Sequence, residues 1–201
     1  MNRIKKITFF LIPALIYGTV LSYCQSNYRI ANDYSFTILG SSNIRDWLES
    51  VDDVDGIASI TGRDDTYLDI NEVRILIRTN SIKSVGIEGN AMNKKTYETL
   101  KTVKYPVITF ITTSPILHFP VDGKKHFIEV TGMLTIAGMN RIIKFHPALS
   151  ADRQGKVYIE GQVFLKMTDF ALEPPVTLFG TLKVKDDIAV QFKMNLIPLD
   201  H

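Results

Sequence analysis

The chain has 201 residues, of which 45% are hydrophobic and 22% are charged. This composition excludes a wholly disordered chain, because enough apolar surface is available to offset the entropy cost of folding. The formal net charge is +2, but three bases lie within the first six residues, and residues 24–201 carry 20 basic and 21 acidic side chains. A nearly neutral chain without a basic face is not expected to bind nucleic acid.

The N-terminus has the layout of a secretory signal, since a short basic stretch precedes an uncharged run over residues 7–23. At 17 residues the run is at the lower limit of what spans a bilayer. A proline and a glycine within it also weaken a permanent helix. We therefore predict that residues 1–23 form a signal peptide that directs the chain to the periplasm or the cell envelope, with an uncleaved anchor as the alternative.

Cys24 ends this apolar run and is the only cysteine, so an intramolecular disulfide is excluded. The sequence LSYC at residues 21–24 resembles a bacterial lipobox, in which the cysteine receives a lipid after cleavage. Tyr23 is larger than the small residue that usually precedes that cysteine. A lipoprotein associated with the membrane through Cys24 and a soluble secreted protein therefore both remain open, and either form enters the envelope.

After this segment the pattern changes to alternating apolar and polar residues, which is typical of strands with one buried face. It predicts eight strands, at residues 34–38, about 46–60, 73–77, 108–110, 128–136, 143–149, 157–167 and 188–196. Residues 89–101 contain helix formers and no β-branched run, which predicts a short crossing helix. Turn-forming residues predict chain reversals at 137–140, 152–155 and 185–187.

Strands with one apolar face must bury that face, either between two packed sheets or inside a closed barrel that has no exposed edges. We predict a single all-β domain over residues 28–201, folded as an eight-stranded antiparallel β-barrel with one short helix. Gly132 and Gly161 interrupt apolar stripes. Such glycines indicate a bulge or a barrel corner, or else relieve crowding.

Four stretches carry a family resemblance: ILGSSNIRDW at 38–47, KYPVITF at 104–110, VTGMLTIAGMNRIIKF at 130–145 and MTDFALEPPVTLFG at 167–180. In order and spacing they resemble the YceI-like family across about residues 34–196, in the version found in Bacteroidetes-type bacteria. The resemblance implies a lipocalin-like barrel of the bacterial envelope that binds polyisoprenoid or related lipids. Arg45 stands where many relatives carry histidine, and residues 88–95 replace an Arg-Asp motif of better-studied members.

An apolar ligand requires a dry cavity, a mouth and only one or two polar groups. The partner implied is a hydrophobic small molecule or lipid, such as an isoprenoid or a fatty-acyl lipid, and no other cofactor is expected. The expected ligand-binding residues are Phe36, Ile38, Trp47, Ile75, Ile77, Ile108, Phe110, Leu134, Ile136, Phe164, Phe192 and Met194. The alternative is a filled core, in which the same residues pack together and the protein serves as an envelope interaction or scaffold barrel.

The sequence shows no pattern for covalent chemistry. It has no Gly-x-Ser-x-Gly motif, no cysteine beyond residue 24, and four histidines without metal-ligand spacing. We therefore expect neither an enzyme nor a metal site. A barrel enzyme that acts on a bound lipid through His118, His126 or Asp169 is the remaining alternative, and the oligomeric state is open, a dimer included.

Overall fold

The computed structural model describes residues 25–62, 65–86, 89–177 and 180–199. Within these ranges the chain forms fifteen strands, one α-helix and two short 3-10 turns, at Thr79–Ser81 and Met167–Phe170. In chain order the elements are β1 Gln25–Ile30, β2 Ser35–Ser42, β3 Asp46–Val51, β4 Val54–Gly62, β5 Tyr67–Arg78, β6 Ile82–Ser84, α1 Gly89–Thr99, β7 Val107–Thr112, β8 Ile116–Pro120, β9 His126–Phe127, β10 Val130–Ile136, β11 Met139–Phe145, β12 Ala148–Ala151, β13 Val157–Lys166, β14 Val176–Thr177 and β15 Leu182–Pro198. The predicted signal peptide and Cys24 lie outside the described residues.

All fifteen strands belong to one sheet, and every pairing in it is antiparallel. The main path runs β11-β10-β7-β5-β4-β1-β15-β13-β12-β9, while β2, β3 and β6 branch from β15. Strand β15 is 17 residues long and is central to the sheet. It pairs with β13 along one edge and with β2 and then β1 along the other.

The sheet bends back on itself, as a contact between two distant strands shows. Strands β11 and β15 are six steps apart along the path, which corresponds to about 29 Å in a flat sheet at about 4.8 Å per step. Yet the rings of Phe145 on β11 and Phe192 on β15 have centroids only 5.9 Å apart. Strong curvature therefore brings the inner faces of these strands together around a common interior.

The predicted all-β antiparallel class with one short helix is confirmed, but the prediction of eight strands is wrong. The segment predicted as one strand near 46–60 forms β3 and β4, which are separated at Asp52 and Asp53 and pair with different neighbours. The segment at 143–149 is divided at Pro147, because proline has no N–H for a strand ladder. Within the described residues no pairing joins the two ends of the path, so closure into a barrel stays a prediction.

Of the predicted chain reversals, the one at residues 137–140 is confirmed and the one at residues 185–187 is not. Ala137 and Gly138 both have positive φ, at 48° and 81°, and they form the two-residue hairpin between β10 and β11. The predicted reversal at residues 185–187 is wrong, because these residues lie inside β15 at a register shift between Val184 and Ile188. Asp186 accepts hydrogen bonds there from the Thr168 backbone N–H at 2.9 Å and its hydroxyl at 2.6 Å.

Helix α1 lies within the predicted segment 89–101 and ends where the chain becomes left-handed. Lys101 has a φ of 53°, and the N–H of Thr102 donates to the Tyr97 carbonyl at 3.0 Å. This hydrogen bond closes the helix C-terminus in the manner of a Schellman motif. The helix contacts β6, which is the element that precedes it in the chain.

Candidate functional site

The inner face of the sheet and one face of helix α1 enclose a cavity of about 220 Å³. Its wall includes β11 at one end of the sheet path, β12 next to the other end, and the branch strands β2 and β3. Close-packed protein interiors leave few voids larger than a water molecule, and about 10–15 Å³ suffices for one water. The cavity is therefore far larger than an ordinary packing void.

Eleven of the twelve predicted ligand-binding residues line this cavity: Phe36, Ile38, Trp47, Ile75, Ile77, Ile108, Phe110, Leu134, Ile136, Phe192 and Met194. They come from six strands and meet because period-2 alternation places every second side chain on the inner face. The placement of Phe164 inside is wrong. Its side chain is 76% exposed, since its neighbours Val163 and Leu165 occupy the inward positions on β13.

The wall also includes residues that the sequence analysis did not select. Many of them continue the same alternating stripes, among them Val73, Ile143, Phe145, Ile159, Val163, Leu165, Ile188 and Val190. Strand phase alone was a sufficient signal for these. Helix α1 adds Met92, Lys95, Thr96 and Thr99, which recur at three- and four-residue intervals and so share one helix face, and Leu100 follows directly after the helix.

Four phenylalanines form a continuous row of ring contacts in the interior. Phe36 stacks on Phe192 with centroids 5.8 Å apart, and Phe192 meets Phe145 edge to face. Phe145 in turn meets the ring of Phe110 at 5.7 Å. Such pairs contribute about 0.5–1.5 kcal/mol each beyond simple burial. The row joins β2, β15, β11 and β7 and holds rigid aromatic surface against the cavity.

Glycines make room for large rings on this inner face. A Cβ on Gly161 would lie 2.9 Å from Cζ of Phe192, its partner across β13 and β15, and one on Gly132 would collide with the ring of Phe110. The pairing is continuous through Gly132 and Gly161, without a register shift. The bulge interpretation of these glycines is therefore wrong, and relief of crowding is the correct one.

Among the described residues, the cavity wall contains one carboxyl group, that of Glu49 on β3. The residue is only 3% exposed, and its Oε1 accepts a hydrogen bond from the Thr96 hydroxyl on α1. Burial raises the pKa of the Glu49 carboxyl, and the hydrogen bond from Thr96 lowers it by less. Trp47, two residues earlier on the same strand face, has a buried Nε1–H that finds no hydrogen-bond partner among the residues the structure describes.

The two lysines of the wall have acidic partners. Lys95 Nζ lies 2.8 Å from Glu98, and Lys166 Nζ lies 3.4 Å from Asp187. All four side chains are substantially exposed, so these pairs lie at the rim rather than deep in the cavity. The interior surface that remains is almost entirely apolar.

Groups suited to metal binding or membrane spanning are not found in the part of the chain that the structure describes. No cluster of three or more His, Cys, Asp or Glu side chains could hold a metal ion there. His126 instead lies 3.0 Å from Asp122, which lowers the pKa of that carboxyl. None of the described helices has both the length and the apolar character needed to cross a membrane.

Solved structures share this architecture at low sequence identity. A polyisoprenoid-binding domain from Saccharophagus degradans, implicated in plant cell wall breakdown, aligns with 88% of this chain and 100% of its own, at 16% identity and a TM-score of 0.65. BcnA from Burkholderia cenocepacia aligns over 81% of this chain and 95% of its own, at 16% identity and a TM-score of 0.56. The YceI protein of Campylobacter jejuni aligns over 76% and 85%, at 17% identity and a TM-score of 0.54.

At the level of sequence, no protein of curated function matches the chain. The model of the YceI-like domain matches residues 32–196, which is most of the chain and contains every strand that lines the cavity. The predicted resemblance over about residues 34–196 is thereby confirmed. The chain belongs to the YceI-like family.

Proposed function

We propose that this protein binds a long apolar lipid, such as a polyisoprenoid, inside its cavity and does so without catalysing a reaction. The observation that carries the proposal is a cavity of about 220 Å³ whose wall is almost wholly hydrophobic and aromatic. The polyisoprenoid-binding domain among the similar structures supports the same ligand class. A filled core, the alternative interpretation of the sequence, predicts no internal cavity, so the cavity supports lipid binding over that alternative.

The energetics favour a long ligand over a short one. Each methylene transferred from water contributes roughly 0.8 kcal/mol, so about ten methylenes contribute roughly 8 kcal/mol. Association costs an estimated 4–15 kcal/mol in lost translational and rotational freedom. A short apolar molecule therefore offsets only the lower part of that range, whereas a chain of about fifteen to twenty carbons contributes roughly 12–16 kcal/mol and reaches its upper limit without any charged contact.

Two tryptophan substitutions at neighbouring positions test the proposal. Val163 lines the cavity, whereas Phe164 is the next residue on β13 and points outward. Titration of the purified protein with a C20 prenol should give at least tenfold weaker binding for Val163→Trp, because the indole fills the cavity, and unchanged binding for Phe164→Trp. Native mass spectrometry of the detergent-free protein should show co-purifying lipid that Val163→Trp loses. Equal affinities in both variants, or no binding to the unaltered protein, would contradict the proposal.

We further propose that the protein acts in the bacterial envelope after export, as its basic and apolar N-terminus indicates. The intact mass of the chain recovered from an expressing bacterium checks this. Removal of residues 1–23 leaves Cys24 as the first residue, and acyl groups on it add discrete mass increments. A mass that still includes residues 1–23 in all of the recovered protein would contradict cleavage.

A further inference from the structure

The polar part of the cavity wall is concentrated where β3 faces helix α1. Trp47 and Glu49 are two residues apart on β3, so both side chains project to the same inner face. Across from them, α1 presents Thr96, whose hydroxyl donates to Glu49 Oε1, and the neighbouring Thr99. The wall around Phe36 and Phe192, on the paired strands β2 and β15, is aromatic and aliphatic. The cavity is therefore an apolar chamber with one polar end.

The two polar groups on β3 have complementary hydrogen-bonding roles. The indole Nε1–H of Trp47 is a donor only, it is buried, and it has no acceptor within the described residues. The carboxyl oxygens of Glu49 are acceptors. A buried donor without a partner costs free energy, so a ligand atom that accepts from it gains more than a comparable contact at the surface.

Spacing allows one small head group to reach both residues. Residues two apart on a strand have Cα atoms about 6.8 Å apart. Two hydrogen bonds of about 2.9 Å that meet at one hydroxyl oxygen at a roughly tetrahedral angle join atoms about 4.7 Å apart, which two side chains leaving the same strand face can present. An alcohol hydroxyl is the smallest group that both donates, to the Glu49 carboxyl, and accepts, from the Trp47 indole.

Charge at this end of the cavity excludes an anionic head. The nearby cations, Lys95 and Lys166, are paired with Glu98 and Asp187 at the rim. A phosphate or carboxylate head would therefore be buried against Glu49 without an unpaired lysine from the described part of the wall to compensate it, and a buried charge without a partner is strongly disfavoured.

We propose that Glu49 and Trp47 form the head-group site of the cavity and select long-chain lipids that end in a hydroxyl group over lipids of the same chain that end in an ether or a phosphate. This inference rests on the proposed lipid-binding function and defines its ligand class. The hydroxyl donates its hydrogen to Glu49 and accepts one from Trp47, while the hydrocarbon chain extends toward the phenylalanine row.

Three ligands with one C20 prenyl chain test the head-group site: the free alcohol, its methyl ether and its monophosphate. The unaltered protein should bind the alcohol about three- to tenfold more tightly than the ether, which cannot donate, and should bind the phosphate most weakly. Glu49→Leu should reduce alcohol affinity to that of the ether and leave ether affinity unchanged. Trp47→Phe keeps a ring but removes the donor, so it should weaken alcohol and ether binding by a similar factor.

The outcomes separate the two proposals. If the unaltered protein binds none of the three ligands, the lipid-binding function itself is overturned. If it binds alcohol and ether equally, or if Glu49→Leu weakens both equally, lipid binding stands and the head-group site is overturned. Circular dichroism establishes that each variant is folded. Should Glu49→Leu fail to fold, Trp47→Phe alone tests the head-group site. An affinity of Trp47→Phe for the alcohol and the ether that equals that of the unaltered protein would then refute the site.

Discussion

The packing of Trp47 over Gly40 provides the sharpest prediction about this fold. The two residues are direct cross-strand partners on β2 and β3. A Cβ on Gly40 would lie 2.6 Å from Cη2 of the Trp47 indole and still closer to two other atoms of the ring, where ordinary contact is 3.4–4 Å. All three of the closest atoms belong to this one side chain. Gly40→Ala must therefore push the indole aside by at least about 0.8 Å.

The expected change in the free energy of unfolding on Gly40→Ala is the sum of two opposing contributions. Overpacking a well-packed site costs about 1–3 kcal/mol. Replacing glycine by alanine at a position with negative φ stabilises by about 0.4–1 kcal/mol, because the unfolded chain loses freedom. Gly40→Ala should therefore destabilise the protein by about 1–2 kcal/mol. In a Trp47→Leu background the clash is absent, and the same substitution should stabilise by about 0.4–1 kcal/mol.

Urea unfolding of the four chains of this double-mutant cycle gives the coupling energy. Far-ultraviolet circular dichroism is the suitable signal, because Trp47 is the only tryptophan and its removal abolishes indole fluorescence. Gly62→Ala is the matched control, since a Cβ there meets nothing within 4 Å, and it should not destabilise. A coupling energy below about 0.5 kcal/mol between Gly40→Ala and Trp47→Leu would refute the packing argument.

Three further predictions concern the interior and its outer face. Phe192→Ala should destabilise by about 3–5 kcal/mol in urea unfolding, because the ring loses Phe36 and Phe145, whereas Phe192→Leu should cost less than half as much; equal costs would contradict the ring row. Burial raises the pKa of Glu49 above its ordinary 4.5, so the folded state holds the proton more tightly and stability should fall as pH rises from about 4.5 through that raised pKa. Glu49→Gln should remove this decline, and parallel stability profiles for both chains would show that the carboxyl is not perturbed. Phe164→Ser should change stability by less than about 0.5 kcal/mol, as expected for an exposed side chain, and a larger loss would place Phe164 in the core.

Much of the inner face was predictable from the sequence because a strand permits only two side-chain directions. Eleven of the selected residues line the cavity for this reason, and the alternating stripes identify Val163 and Leu165 as the inward pair on β13. Phe164 was selected although its position opposes the phase of Val163 and Leu165. The phase correctly predicts that its side chain points outward. The inward direction of Glu49 was predictable in the same way, since Glu49 follows Trp47 by two residues on β3.

Strand boundaries were less predictable because they depend on partners that are distant in sequence. The sequence pattern predicts one irregular strand over residues 46–60, yet the chain turns between β3 and β4. The Tyr34 hydroxyl stabilises this turn by accepting from the Val54 N–H and donating to the Asp52 carbonyl. Asp186 has the local character of a turn residue, but β15 pairs with β13 up to Asp187 and with β2 again at Val184, so the strand continues across Asp186 while its carboxylate accepts hydrogen bonds from Thr168. In both cases tertiary contacts overrode the local preference.

The sequence by itself determined the all-β class, the family and most of the strand side chains that face inward, because alternation and motif spacing are local properties of the chain. Only the tertiary structure decided that these side chains surround a cavity. Alternation fixes the direction of a side chain and not the distance to the opposite wall. That distance depends on the curvature that brings β11 against β15 and on glycines that let large rings lie flat on neighbouring strands. Both are properties of how remote strands are placed, so they emerge only when the sheet is assembled.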